Sequence, residues 1–273
     1  FAIWDSQKKL LFIARDALGI KPLYYTSQDN CFAFASELKA LLYLVPDKRE
    51  LDFLSLHRYL SFLWCPGGGT PLKSFFKFQP GEAILVNEGH IQKRWMWYQL
   101  PSFREKTKKF NKTHAISETA EHLRQSVHRQ MVSDVPLGAF LSGGLDSSAI
   151  VTFAREINPD IRCFTINTTI KKDGMPDDLP YAQMVAQHLD VPLDIVQVDS
   201  ETMINDLEKM VFQLDEPLAD PAALNVLYIS KLARENGIKV LLSGVGGDDL
   251  FTGYRRHLAV NYEKYWRFLP NGV

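Results

Sequence analysis

Two short loops hold the residues best suited to chemistry. Ser142-Gly143-Gly144-Leu145-Asp146-Ser147-Ser148 follows the apolar run Leu137 to Leu141, and Ser243-Gly244-Val245-Gly246-Gly247-Asp248-Asp249 follows Lys239 to Leu242. Gly143 and Gly144 allow a tight turn at positive φ with no Cβ in the way, so amide N–H groups can converge on an anion. A helix beginning near Asp146 adds its N-terminal dipole, and Ser142, Ser147 and Ser148 add hydroxyl donors. The chemistry expected of this loop is phosphate binding. No Lys stands at the Walker position, so this is not the loop of γ-phosphate chemistry.

A carboxylate inside a phosphate cradle repels its ligand unless a cation lies between them. Mg²⁺ takes one or two carboxylates together with phosphate oxygens. Asp146 is therefore a candidate metal ligand, Asp248 the candidate second one, and the same two residues are the candidate catalytic pair. The plainer alternative is that both only cap helices. Two Ser-Gly loops, each after a Leu-rich strand and each carrying an Asp, weigh against it.

The elements that must position these loops follow from periodicity. Ile116, Ala120, Leu123, Val127 and Met131 recur at helical spacing. Strand-like runs at 137–141, 161–167, 193–198 and 239–242 then alternate with helical segments ending near Glu156 and spanning 181–189, 201–214 and 222–235. Strands separated by helices predict an α/β, doubly wound parallel sheet, in which ligands bind at the carboxyl ends of the strands. The first third reads differently, as α+β. Hairpins are expected from 1–5 with 10–14, 23–25 with 31–35, and 82–86 with 90–97, and helices from 37–44 and 52–62. The domains expected are 1–100 and 114–273, with the polar, Lys-rich stretch 101–113 as a solvated linker.

Composition narrows the classes. Of 273 residues, 46% are hydrophobic and 23% charged, which excludes a disordered or fibrous chain. Lys+Arg 31 against Asp+Glu 32 gives no global pointer to nucleic acid or an anionic membrane. No apolar run approaches the ~18 residues of a membrane span. Cys31, Cys65 and Cys163 are odd in number and widely separated, so they are expected to be small buried hydrophobes in a reducing, cytoplasmic setting. The chain begins at Phe1 directly in a strand-like run and ends among large apolar residues, and reads as an internal piece of a longer protein.

Leu141-Ser142-Gly143-Gly144-Leu145-Asp146-Ser147-Ser148 resembles the pyrophosphate loop of N-type ATP pyrophosphatases. Together with Leu242-Ser243-Gly244-Val245-Gly246-Gly247-Asp248-Asp249-Leu250-Phe251-Thr252-Gly253-Tyr254-Arg255, it is similar to the glutamine-dependent asparagine synthetase family. Ala14 to Tyr25 and Phe34 to Leu41 resemble the late part of that family's glutaminase domain, and Asp215-Glu216-Pro217 with Asp220-Pro221-Ala222 also matches many members. The resemblance implies the end of an N-terminal-nucleophile glutaminase followed by an ATP-pyrophosphatase domain. Such an enzyme uses ATP and Mg²⁺ to adenylate a carboxylate, which ammonia from glutamine attacks to give amide, AMP and pyrophosphate. By the resemblance, Leu141 and Ile166 contact the adenine side, Ser243 and Gly244 hold the nucleotide through backbone groups, and Ser142, Gly143, Gly144, Asp146, Ser147 and Ser148 hold pyrophosphate and metal. It implies glutamine and aspartate, or a related acid, as substrates, involves neither nucleic acid nor membrane, and is compatible with a homodimer. Arg15 and Asp16 are expected to form a structural ion pair.

Three departures accompany the resemblance. The family's nucleophilic Cys precedes Phe1, so glutamine hydrolysis is not expected of this piece. The family's adenylation Lys would lie beyond Val273. The position after the second Ser-Gly, usually Glu in asparagine synthetases proper, is Val245, and an isopropyl group can neither orient an amine nor take a proton. The alternatives left open are a non-aspartate acceptor such as a sugar acid, another ATP-pyrophosphatase synthetase of the guanylate or nicotinamide dinucleotide kind, and a non-catalytic nucleotide-binding module.

Overall fold

The computed structural model describes residues 1–28, 30–101, 111–168 and 177–265. The chain divides into two units, Phe1–Lys106 with Leu207–Pro221, and Thr107–Asp206 with Ala222–Val273.

In the first unit, β1 (Ala2–Asp5), β2 (Leu10–Ala14), β3 (Tyr24–Gln28) and β4 (Cys31–Ala35) precede α1 (Leu38–Leu44) and α2 (Phe53–Phe62). Then come β5 (Phe76–Lys77), β6 (Glu82–Asn87) and β7 (His90–Met96). The strands form two antiparallel sheets, ordered β1-β2-β6-β7 and β4-β3-β5. All three expected hairpins are present. The last turns on Glu88 and Gly89, both at positive φ (49° and 79°), the backbone that a two-residue turn needs to match strand twist. Adjacent tyrosines of β3 face opposite ways, as the two-residue strand period requires. Tyr25 packs with Ile13, Phe78, Ile84 and Val86, while Tyr24 packs with Leu38, Leu41 and Phe75. Helix α2 starts where Asp52 accepts from the Leu54 amide (3.1 Å) and the Ser55 hydroxyl (2.7 Å).

Arg15 and Asp16 are structural, but each bonds to backbone. Arg15 donates to the carbonyls of Lys21, Phe78 and Gly19. Asp16 accepts from the amides of Leu18, Ile20 and Lys21 at 3.3, 2.8 and 3.0 Å. Burial pushes the Asp16 carboxyl up, and the three amides outweigh it, leaving it below the ordinary value; the Arg15 charge is the smallest contribution.

In the second unit, α3 (Lys112–Gln130) is capped by Asn111, so the helix begins inside the stretch expected as linker; 102–110 lie outside the described residues. There follow β8 (Leu137–Phe140), α4 (Leu145–Arg155), β9 (Arg162–Thr168), α5 (Leu179–Leu189), β10 (Leu193–Val198) and α6 (Ser200–Asn205). Helix α7 (Leu207–Gln213) belongs to the first unit. The second resumes with α8 (Ala222–Glu235), β11 (Val240–Leu242), α9 (Gly247–Phe251) and α10 (Arg255–Tyr262). The single helix expected over 201–214 is thus two, interrupted at Asp206 where the chain changes unit. The short β5, α9 and α10 have no counterpart in the periodicity reading.

The four strands of the second unit are parallel, in the order β10-β9-β8-β11. Helices cover both faces. Val127 of α3, Val151 and Ala154 of α4 and Ala182 of α5 bury Cys163 on one side, and Ile229 and Ala233 of α8 bury Phe164 on the other. This is the doubly wound arrangement, with successive β9 residues in opposite cores. Arg162 on β9 makes two bonds of 3.1 Å to Asp194 on β10, which fixes that edge of the sheet.

Cys65 and Cys163 are buried as expected, and burial pushes the Cys163 thiol up to about 12. Cys31 is exposed, at the first position of β4 straight after a turn. Among the described residues no helix is long and apolar enough to cross a membrane.

Candidate nucleotide site

From β8 the chain steps outward to β9 and β10, then returns to place β11 on the opposite side of β8. The carboxyl ends of β8 and β11 therefore flank the point where strand order reverses, where an open α/β sheet binds ligands. Both Ser-Gly loops leave from these ends.

The first loop is shaped by Gly143, at φ 77°. A Cβ there would run into the backbone of Tyr181 and Ala182 at the start of α5, so no other residue fits. Gly144 is the N-cap of α4. The Ser148 amide makes the first intrahelical bond, to the Gly144 carbonyl (3.0 Å), which leaves the amides of Leu145, Asp146 and Ser147 at the open helix terminus. Ser142 and Ser147 share a hydroxyl–hydroxyl bond of 3.0 Å, and the Ser148 hydroxyl donates to the Gly144 carbonyl at 2.7 Å. The loop is thus held in shape by its own serines, at the positive end of the α4 dipole.

The second loop lies against the first. A Cβ on Gly244 would stand 2.9 Å from the Ser147 amide nitrogen and 3.0 Å from the Asp146 Cβ. One on Gly247 would overlap the Asp146 carboxylate. The backbones of Ser243–Gly247 therefore approach α4 only because both contact points are glycine. The Asp248 carboxylate lies instead against Gly253, farther along its own segment. Neither Asp is an N-cap: those positions are Gly144 and Gly246, without side-chain cap bonds, which removes the reading of both as mere helix caps.

Leu141 is 1% exposed and its side chain belongs to the core, so only its backbone faces a ligand. Its amide is bonded to the Phe164 carbonyl at 3.0 Å. Ile166 sits on β9, partly buried beside Phe164. Ser243 is exposed and Val245 is 90% exposed. Asp146 and Asp248 make no ion pair among the described residues, and no group of three or more metal-ligating side chains occurs there. The structure thus brings Asp146 to the second loop at Gly247, next in sequence to Asp248, while the Asp248 carboxylate lies at Gly253; a carboxylate beside a helix N-terminus is the kind of ligand a cation takes together with phosphate and water. The close approach at Gly247 joins residues far apart in the chain, and a glycine pair is the one local sign of it.

Residues 118–271 match the family described as Asparagine synthase, and residues 1–97 match a Glutamine amidotransferase domain. The chain is 34% identical to asparagine synthetase [glutamine-hydrolyzing] 1 of Bacillus subtilis (strain 168), over 100% of this chain and 42% of that protein. It is 32% identical to a putative asparagine synthetase [glutamine-hydrolyzing] 2 of Methanocaldococcus jannaschii, over 99% of this chain and 52% of that protein. It thus spans about half the length of these relatives. A solved glutamine-dependent NAD+ synthetase from Acinetobacter baumannii overlaps 96% of this chain and 61% of its own, at 14% identity and a TM-score of 0.33. With the family's match covering more than half of its residues, including both Ser-Gly loops, the chain belongs to the asparagine synthase family.

Proposed function

We propose that the complete protein is a glutamine-dependent ligase that activates aspartate with ATP and amidates it, releasing AMP and pyrophosphate. The observation that carries this reading is the contact of the two Ser-Gly loops at the β8 and β11 ends, with Asp146 between them. The amides of Leu145, Asp146 and Ser147, with the hydroxyls of Ser142, Ser147 and Ser148, hold the β- and γ-phosphates as they become pyrophosphate. Catalysis at such a site consists mainly of positioning and charge stabilisation. The backbone of Leu141 and the side chain of Ile166 bound the adenine, and Ser243 and Gly244 hold the nucleotide through main-chain groups. Asp146, with Asp248, holds Mg²⁺, which when bound neutralises charge on the phosphate oxygens. The first unit is the late part of a glutaminase of the N-terminal-nucleophile type, supported by the match over 1–97.

ATP–pyrophosphate exchange by the complete reading frame, with Mg²⁺ and a panel of carboxylic acids, tests this. Aspartate-dependent exchange is expected. Exchange with another acid only would assign the exposed Val245 position to a different acceptor, and no exchange with any acid would overturn the reading.

A further inference from the structure

The motif Asp215-Glu216-Pro217 has no part in the site above. It falls within the asparagine synthase match, yet the segment that carries it, Leu207–Pro221, is packed in the other unit. It is bound there by an ionic clasp. The Glu216 carboxylate accepts from the Lys77 ammonium at 2.8 Å and from the Tyr24 hydroxyl at 3.0 Å. Lys77 and Glu216 side chains are only 13% and 15% exposed. Lys77 also donates to the Cys65 carbonyl at 2.6 Å, so its charge is fully directed. Burial first, and then the Glu216 charge, push the Tyr24 phenol well above its ordinary value, so it remains a hydrogen-bond donor. A second cation closes the clasp: Lys39 donates to the carbonyls of Phe212 (2.9 Å) and Gln213 (3.0 Å), and its ammonium stands 3.6 Å from Asp215.

Both ends of this segment are continuous with elements of the nucleotide-binding unit. At one end Asp206 accepts from the Tyr228 hydroxyl of α8 at 3.0 Å. At the other, Pro221 leads straight into α8, whose Ile229 and Ala233 pack on Phe164 of β9 beside Ile166. The clasped segment of the first unit is thus joined through the chain, on both sides, to elements of the second.

We propose that Glu216 and Lys77 are positioning residues that couple the supply of ammonia from glutamine to amide formation, an inference that rests on the function proposed above. Burial makes the pair suited to this, since losing one partner leaves an uncompensated charge and forces the segment to move.

The test uses the complete protein and compares amide formed from glutamine with amide formed from added ammonium, alongside glutamine hydrolysis. In Glu216→Gln and in Lys77→Met, the glutamine-supported rate should fall about tenfold relative to the ammonium-supported rate, the size of an ordinary coupling between sites. Glutamine hydrolysis should continue, so that more glutamine is consumed per amide formed. Where a single variant fails to fold, Tyr24→Phe serves instead: it removes one bond to Glu216 without leaving a charge unpaired, and it should lower the ratio in the same direction. A ratio unchanged in the folded variants, or a fall in both rates alike, would overturn the coupling alone. Wild-type protein that makes no amide from either nitrogen source would overturn the functional reading, and the coupling with it.

Discussion

The carboxylate of Asp146 lies against the α-carbon of Gly247, so closely that a methyl group there would overlap it. Residues 101 positions apart thereby set one another: the glycine determines where the carboxylate sits, and the carboxylate determines that the residue is glycine. Gly247→Ala should displace Asp146 without touching the core. Pyrophosphate exchange in the complete protein should fall by roughly 100-fold, the usual consequence of ångström-scale misplacement of a reacting group, while the unfolding midpoint changes little. Unchanged exchange would show that the Asp146 position is immaterial.

Asp146→Ala removes the carboxylate and leaves the loop hydrogen bonds of Ser142, Ser147 and Ser148 in place. Calorimetry should find Mg²⁺-dependent ATP binding lost in a protein that still unfolds cooperatively, because none of the loop's serine bonds involves the carboxylate. Retained Mg²⁺ dependence would remove Asp146 from the metal site.

Gly143→Ala should act on stability. At φ 77°, with the Tyr181 and Ala182 backbone in the path of any Cβ, alanine is strained and has no flexible neighbour to displace. A loss of about 2–3 kcal/mol in denaturant unfolding of the second unit is expected.

Asp16 gives the first unit a defined acid response. Its folded carboxyl is below the ordinary value, because three amides outweigh the effect of burial. The stability it contributes is therefore complete above the unfolded value of about 3.9 and lost as pH falls through the lower, folded value. Asp16→Asn should flatten the acid limb of the stability–pH curve below pH ~4, as followed by denaturant midpoints across pH.

Asp52→Ala removes the α2 cap and its bond to Ser55. The expected cost is about 1 kcal/mol, read from the thermal midpoint.

The sheet of the second unit was legible because each strand is a short apolar run bounded by turn residues, and because helices recur between them. The turn between β8 and α4 was legible for a related reason: paired glycines at the end of an apolar run mark a tight turn, and Gly143 at φ 77° makes it, with α4 starting directly after Gly144. What could not be read was long-range. Nothing near Asp206 announces a change of unit, since Met203, Leu207, Met210 and Leu214 continue a helical spacing across it. The burial of Glu216 depends on Lys77 and Tyr24, 139 and 192 positions away. Arg15 and Asp16 look like an ion pair as neighbours, but each is used up by backbone groups that only the folded turn supplies.

The excursion of Leu207–Pro221 has a consequence for biogenesis. Domains made early on the ribosome ordinarily fold as they emerge. Here the first unit has Phe1–Lys106 in hand but must wait for the segment ending at Pro221 before Lys77, Lys39 and Tyr24 find their acidic partners. Until then Lys77 is a cation without its carboxylate in a half-built interior. The clasp of the first unit is therefore completed only once Pro221 has been made, and a nascent chain released earlier would present Lys77 and Lys39 without their carboxylates.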